Sequence, residues 1–437
     1  MLTSTDMALC GLDPHALFAP VANCQTVGLA VSGGADSLAL MLLYAAWSGD
    51  RPRAVVYTVD HRLRPEAQAE AAMVVAEAEK LGLTCRSLVW DGPKPSSGKQ
   101  SAARSARYRL MAKAMAADGA EVLVTAHHLR DQAETVLMRL AHGSGVTGLA
   151  GMRDFSVVEG VEVFRPLLGV PAETLATLVA RAGLSPVHDP SNADPAYERT
   201  RWRNALPALG ELGLTPAILG KAGERMARID AFAARAADEF AEAHMTRDAL
   251  GVLRIARAAL DHADPEIGIR AIDIAVAAVS GARSFALGRI EELAARLASG
   301  ERFAATLAGA RLVAQENAIV IHREAGRHGL PTTSLAPGES VIWDGRFSIT
   351  ASRAGTIVPA SGLTRKRFRD LTGKELEGPV AGLRAAPLIC DARGEIAAIG
   401  CLEIAEGFAV EQIPLTSRAG NCGNRPPGGA VALVSPE

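Results

Sequence analysis

The chain has no excess of charge of one sign. With 46 Lys+Arg against 48 Asp+Glu, the formal net charge is -2. Any nucleic-acid contact must therefore come from local patches rather than from a general cationic surface. No two cysteines stand as Cys-x-x-Cys. Cys10, Cys24, Cys85, Cys390, Cys401 and Cys422 are scattered, which excludes the usual zinc and iron–sulfur spacings and fits the reduced thiols of a cytoplasmic protein. No run of about 18 uncharged apolar residues occurs, so no segment reads as membrane-spanning. Residues 1–6 lack a basic region leading into an apolar core and do not read as a secretory signal. With 437 residues, 49% hydrophobic and 22% charged, an ordinary soluble globular protein of two or three domains is expected.

The most informative stretch is Val27-Gly28-Leu29-Ala30-Val31-Ser32-Gly33-Gly34-Ala35-Asp36-Ser37. An apolar run of strand length meets a Ser-Gly-Gly turn, and a helical pattern starts at once. Two glycines let the backbone approach a ligand, and the free N–H groups of a helix start attract anions. No lysine follows the turn, which excludes the triphosphate loop ending in Gly-Lys-Ser/Thr. Asp36 and Ser37 stand there instead: a carboxylate able to hold Mg²⁺ and a hydroxyl able to donate to phosphate. The competing reading is a plain turn with Asp36 capping the helix.

Strands at 27–31, 54–59, 84–90 and 121–125 alternate with helices at 35–47, 66–80, 101–117 and 131–141. This alternation predicts an α/β domain built on a doubly wound parallel sheet. Ligands bind beyond the carboxyl ends of such strands, which selects Ser32 to Ser37, Asp60-His61 and His127-His128. Asp60 could meet a ribose hydroxyl or a metal, or merely hold a turn. Residues 99–113 carry five cations and no anion. Arg104 and Arg107 share a helix face and offer forked donors suited to phosphate, unless the run is a solvated basic face. Asp131 and Glu134 fall on one face of a starting helix and could coordinate Mg²⁺ or receive an ammonium; an Asp-x-x-Glu capping box could replace or accompany that role. His142-Gly143-Ser144-Gly145-Val146-Thr147-Gly148 matches the dinucleotide fingerprint but follows a helix instead of a strand. It reads as a glycine-rich loop closing the site.

As an ordered set these residues resemble the tRNA(Ile)-lysidine synthetase family, within the N-type ATP pyrophosphatase (PP-loop) superfamily. The likeness rests on Ser32 to Ser37, Val59-Asp60-His61-x-Leu63-Arg64 and Ala103-Arg104-x-Ala106-Arg107-Tyr108. It continues through Thr125-Ala126-His127-His128, Asp131-Gln132-Ala133-Glu134-Thr135, Gly143-Ser144-Gly145 and Gly148-Leu149-Ala150-Gly151-Met152. Arg165-Pro166-Leu167-Leu168 and Asp189-Pro190-Ser191-Asn192, on to Tyr197-Glu198-Arg199 and Arg201, complete it. Roughly the first 205 residues are covered. Arg130, His142 and Thr200 depart from the family, which often has an acidic residue, Arg and Asn there.

The resemblance implies ATP and Mg²⁺ as cofactors, with L-lysine and a tRNA(Ile) bearing a CAU anticodon as partners. Lysine would be joined through its ε-amine to the wobble cytidine after AMP transfer to that base, with release of pyrophosphate. Ser32, Gly33, Gly34, Ala35, Asp36, Ser37, Asp60 and His127 would hold ATP, and Asp36 would hold Mg²⁺. Arg104 and Arg107 would hold phosphate. Lysine's amine, with a free pKa of about 10.4, needs a carboxylate to take its proton; Asp36, Asp131 and Glu134 are the candidates. A sulfur-transferring tRNA enzyme or a small-molecule amidoligase of the same superfamily is the alternative. The missing Cys-x-x-Cys speaks against the first, and the second needs no RNA-sized extension.

A catalytic domain over 1–205, a helical middle domain over 206–329 and a small mixed C-terminal domain over 330–437 are expected, with a flexible tail from about 423. Short strand-like pieces stand near 311–313 and 318–322. The last domain contains Thr364-Arg365-Lys366-Arg367-Phe368-Arg369. There Arg365, Lys366, Arg367 and Arg369 would grip RNA phosphates, with a solvated surface loop as the bland alternative.

Overall fold

A computed structural model describes residues 10–62, 66–91, 99–187, 194–281, 287–327 and 329–415. Leu63-Arg64, Asp189-Pro190-Ser191-Asn192 and the tail from Gly423 lie outside the described residues. Contacts divide the chain into two compact units, Met1–Asp230 and Ala231–Glu437.

The first unit alternates as the sequence pattern predicts. It runs β1 (Thr26–Ala30), α1 (Ala35–Ala46), β2 (Arg53–Asp60), α2 (Ala67–Lys80), β3 (Thr84–Val89), α3 (Lys99–Asp118), β4 (Val122–Val124) and α4 (Leu129–Ala141). A hairpin, β5 (Phe155–Val158) and β6 (Val161–Phe164), follows, then α5 (Ala172–Arg181) and α6 (Glu198–Glu211); α7 (Pro216–His244) begins in this unit and ends in the second. The strand order is β3-β2-β1-β4-β6-β5. Every pairing is parallel except the β5–β6 hairpin.

Both faces of the sheet are covered, so its central strands are apolar throughout rather than alternating. Leu29, Val56 and Val124 pack beneath Leu38 and Met41 of α1, Val74 of α2 and Leu175 of α5. Val55, Tyr57 and Leu123 face Tyr108, Met111 and Met115 of α3 on the other side. Gly28 belongs to this packing, because a Cβ there would lie 2.6 Å from the Tyr57 ring. α6 seats Trp202 and Leu206 against Ala133 and Leu137 of α4. The strand order reverses between β1 and β4, which opens a crevice at their carboxyl ends.

In the second unit, β7 (Met245–Arg247), β8 (Leu253–Ala256), α8 (Pro265–Ser280), α9 (Leu287–Ala298), β9 (Ala304–Leu307), β10 (Ala310–Ala314) and β11 (Ala318–Arg323) come first. They form an antiparallel sheet, β7-β8-β11-β10-β9, packed on the apolar faces of α8 and α9. The strand-like pieces read near 311 and 318 are its centre; β7 and β8 are too short and mixed to stand out in the sequence. Beyond them lie β12 (Thr333–Leu335), β13 (Ser340–Trp343), β14 (Phe347–Ala351), β15 (Gly355–Pro359) and α10 (Arg365–Thr372). β16 (Pro387–Asp391), β17 (Ile396–Ile399), β18 (Leu402–Glu403) and β19 (Phe408–Gln412) follow. These strands build the sheets β12-β15-β16-β17-β18 and β13-β14-β19. Side chains tie the two parts of this unit together. Asp344 accepts from Arg323 at 2.9 Å and from Arg346 at 2.7 Å, and Gln412 donates to the Asp248 carbonyl at 2.6 Å. Among the described residues no helix is long and apolar enough to cross a membrane.

Candidate active site

The Ser-Gly-Gly turn leaves β1 and starts α1 without a capping side chain. Gly33 takes φ +86°, which only glycine adopts without strain, and its carbonyl accepts the Val187 N–H at 3.0 Å. Gly34 is the N-cap at φ -72°, ψ 160°. Its carbonyl accepts the Leu38 N–H at 3.0 Å and the Ser37 hydroxyl at 2.9 Å. Ser37 Oγ in turn accepts the Ser32 N–H at 3.1 Å. No protein acceptor for the N–H groups of Gly34, Ala35 and Asp36 occurs among the described residues. A Cβ on Gly34 would meet nothing nearer than the Ser32 hydroxyl at 3.9 Å. Packing therefore does not require glycine at 34. Asp36 lies in the first turn of α1 and caps nothing.

A cleft of about 370 Å³ lies over this loop. Its walls include Ser32, Gly34, Asp36 and Ser37 from the loop and Tyr57, Thr58, Val59 and His61 from the β2 end. Glu70 lines it from α2, Arg104, Arg107 and Tyr108 from α3, and Thr125, His127 and Asp131 from the β4–α4 junction. The guanidinium of Arg104 sits 5.2 Å from the centroid of the Tyr108 ring.

His128 connects two carboxylates of this cleft, Asp36 and Asp131. Its buried ring places Nε2 3.4 Å from Asp36 and 3.5 Å from Asp131. Burial alone would raise the Asp36 pKa, but the hydrogen bond and charge of His128, with Arg130 and Arg203, outweigh it and hold that carboxyl below the usual range. His128 moves the other way: burial would lower it, yet the bond to Asp36 and the charges of Asp131 and Asp36 leave it raised against the opposing Arg130. His127 is pushed down to about 4, chiefly by burial and further by Arg165, Arg199 and Arg104, with Asp131 opposing. Its Nδ1 lies 2.9 Å from Thr125 Oγ1.

The candidates named from sequence do not all meet. Asp36, Asp131, Arg104, Arg107, His127, Ser32, Gly34 and Ser37 converge on the cleft; Gly33 and Ala35 shape the loop without lining it. Glu134, paired with Asp131 as a candidate base, is fully buried and absent from the cleft wall. It accepts from Arg203 Nε at 2.7 Å and Nη2 at 3.2 Å, with Arg199 3.5 Å away. The reason is geometric: α4 turns that position toward α6. Asp60 is also buried outside the cleft wall, where its carboxylate accepts the Arg62 N–H at 2.8 Å and holds the turn. The capping box exists one turn earlier than expected, because α4 starts at Leu129. His128 is its N-cap, and Asp131 accepts the His128 N–H at 3.1 Å. The loop from Gly143 to Gly148 does not line the cleft; Arg139 ties it down through the carbonyls of Gly148 and Gly151 at 2.7 and 2.6 Å. Sequence reasoning missed Glu70 and Arg203, and gave Thr125 no role apart from its place in the Thr125-Ala126-His127-His128 stretch. The Glu134–Arg203 pairing spans 69 positions, a separation that no local pattern signals.

In the second unit the basic cluster forms α10, capped by Thr364. Phe368 is buried beneath it rather than presented for stacking. Arg365 donates to the carbonyls of Leu376 and Gly378 at 2.7 and 2.9 Å, and Arg369 pairs with Glu375 at 3.0 Å. Lys366 and Arg367 remain exposed.

A doubly wound sheet whose first strand ends in an anion-ready Ser-Gly-Gly-x-Asp-Ser turn defines a PP-loop protein, and residues 14–209 match the family described as PP-loop domain. The chain is 48% identical over 218 residues to a tRNA(Ile)-lysidine synthase of Bradyrhizobium sp. (strain BTAi1), a match covering 49% of this chain and 61% of that relative. It is 33% identical over 413 residues to a tRNA(Ile)-lysidine synthase of Rhizobium meliloti (strain 1021), covering 89% of this chain and 88% of the other. A solved structure, the U34-tRNA thiolase NcsA from Methanococcus maripaludis, aligns at 17% identity with a TM-score of 0.43 over 51% of this chain and 80% of that one. The chain belongs to the tRNA(Ile)-lysidine synthase family.

Proposed function

We propose that this chain ligates L-lysine to the wobble cytidine of a tRNA(Ile) with a CAU anticodon, through an adenylated cytidine, in the cytoplasm. The observation that carries this reading is the row of open amides at Gly34, Ala35 and Asp36, set beside the Asp36–His128–Asp131 carboxylate pair. The amides receive the leaving pyrophosphate of ATP. The residues also fit Mg²⁺. Asp36 offers a half-exposed carboxylate held in its charged form, and Mg²⁺ needs only one or two carboxylates when phosphates and waters complete its shell. When bound there it neutralises charge growing on the phosphates.

Arg104 and Arg107 face the same cleft and hold the remaining phosphate charge. The cytidine O2 attacks the α-phosphorus as the bond to pyrophosphate breaks. Lysine's amine then attacks C2, the C–O bond to AMP breaks, and a carboxylate takes the proton. With Glu134 saturated by two guanidiniums, that carboxylate is Asp131 or Asp36. The three-part division at 205 and 329 is retained as a functional one, with Lys366 and Arg367 of the last part on RNA phosphates.

Pyrophosphate release measured with and without tRNA and lysine tests the reading. AMP formation needing both substrates supports it; release with lysine alone, or sulfur incorporation into the RNA, sinks it. Asp36→Asn should abolish tRNA-dependent ATP–pyrophosphate exchange while tRNA binding survives, and exchange within a few-fold of wild type would remove Asp36 from its role.

A further inference from the structure

Thr125 closes β4 at the edge of the cleft. Its backbone N–H donates to the Phe164 carbonyl of β6 at 2.9 Å, and its side chain is buried. Both Thr125 and His127 line the cleft, and 2.9 Å separates Thr125 Oγ1 from His127 Nδ1. This bond selects which imidazole nitrogen carries the proton. If the hydroxyl donates to Nδ1, Nε2–H is left as a donor; if it accepts from Nδ1–H, Nε2 is left with a lone pair. Burial and the charges of Arg104, Arg165 and Arg199 keep the ring neutral, so it cannot donate from both nitrogens. Among the groups that a nucleotide brings into this cleft, the phosphoryl oxygens only accept, and an Nε2–H would supply them a donor.

We propose that Thr125 is a positioning residue: by donating its hydroxyl proton to His127 Nδ1 it holds the ring as the Nε2–H tautomer, an uncharged donor to a phosphoryl oxygen of the bound nucleotide. The inference rests on the adenylation reading above. Its geometry resembles the way the orienting partner of a metal-bound or catalytic histidine fixes the far nitrogen. An uncharged donor strengthens its bond as charge grows on the oxygen, and no imidazolium proton has to be held against the charges of Arg104, Arg165 and Arg199.

The test uses the full chain labelled with ¹⁵N at histidine, with His127→Gln assigning the signal. At about pH 7.5 the wild-type ring should carry its proton on Nε2. Thr125→Ser should preserve that state and Thr125→Val should give a tautomer mixture. A proton on Nδ1 in the wild type overturns the proposal. In tRNA-dependent pyrophosphate release, Thr125→Val should lower kcat about five- to tenfold, the worth of one orienting hydrogen bond, with the KM for lysine unmoved. Thr125→Ser should restore the rate. A Thr125→Val rate equal to wild type, or a Thr125→Ser rate as low as Thr125→Val, also overturns it. The spectrum does not depend on turnover. An Nε2-protonated ring in a protein that releases no pyrophosphate with tRNA and lysine would refute the adenylation reading and leave the tautomer assignment standing.

Discussion

Adjacent glycines in the loop answer to different demands, and alanine at each separates them. At Gly33 an alanine must adopt φ +86°, and its Cβ would press on Val187 at 3.1 Å and Met73 at 3.3 Å. The left-handed backbone alone costs about 1–2 kcal/mol, and the contacts bring the total to about 2 kcal/mol. At about 2–4 °C per kcal/mol for a unit of this size, Gly33→Ala should lower the melting temperature by about 4–8 °C. Gly34→Ala meets no such resistance, since φ is -72° and the nearest atom lies at 3.9 Å. Loss of a good N-cap and the gain from a stiffer unfolded chain nearly cancel, leaving stability within about 0.5 kcal/mol. Its methyl group does stand where phosphate oxygens must approach the open amides. Thermal unfolding with and without Mg-ATP reads both effects, because ligand at about 100 times Kd stabilises by about 2.7 kcal/mol. Gly34→Ala should keep the ligand-free melting temperature and lose the ATP-induced rise. A full rise in Gly34→Ala would refute the claim that this loop cradles phosphate.

Further expectations follow from the same geometry. Glu134→Ala strands Arg203 and Arg199, and should cost about 2–3 kcal/mol in urea unfolding, below the usual buried-pair figure because both guanidiniums are partly exposed; a loss under about 0.5 kcal/mol would show that the pair holds nothing. His127, pushed down to about 4, binds fewer protons folded than unfolded. Its contribution to stability is fully present above about pH 6.5 and is lost as pH falls toward 4, up to about 3 kcal/mol. His127→Gln should therefore flatten the acid limb of stability against pH, and an unchanged limb contradicts the assignment. Neutralising Lys366 and Arg367 should weaken tRNA binding and reduce the log–log salt slope by about one to two, whereas identical binding across salt would clear them of any RNA contact. Arg365→Gln should instead lower stability, since that guanidinium holds the carbonyls of Leu376 and Gly378.

The sequence by itself determined the alternation of β1 to α4, the anion-ready turn from Ser32 to Ser37, and the convergence of Arg104, Arg107, His127 and Asp131 on the sheet's carboxyl edge. Each of these follows from local periodicity, glycine placement or the topology of parallel sheets, which act over a few residues or through a general rule. Tertiary structure alone decided that Glu134 faces α6. It also decided that His128 bridges Asp36 to Asp131, and that β7 and β8 complete a sheet whose centre lies more than sixty residues on. Those outcomes depend on partners far away in the chain. A buried carboxylate is committed by whichever guanidinium packing brings to it, and the spacing of Asp131 and Glu134 carries no record that Arg203 would arrive.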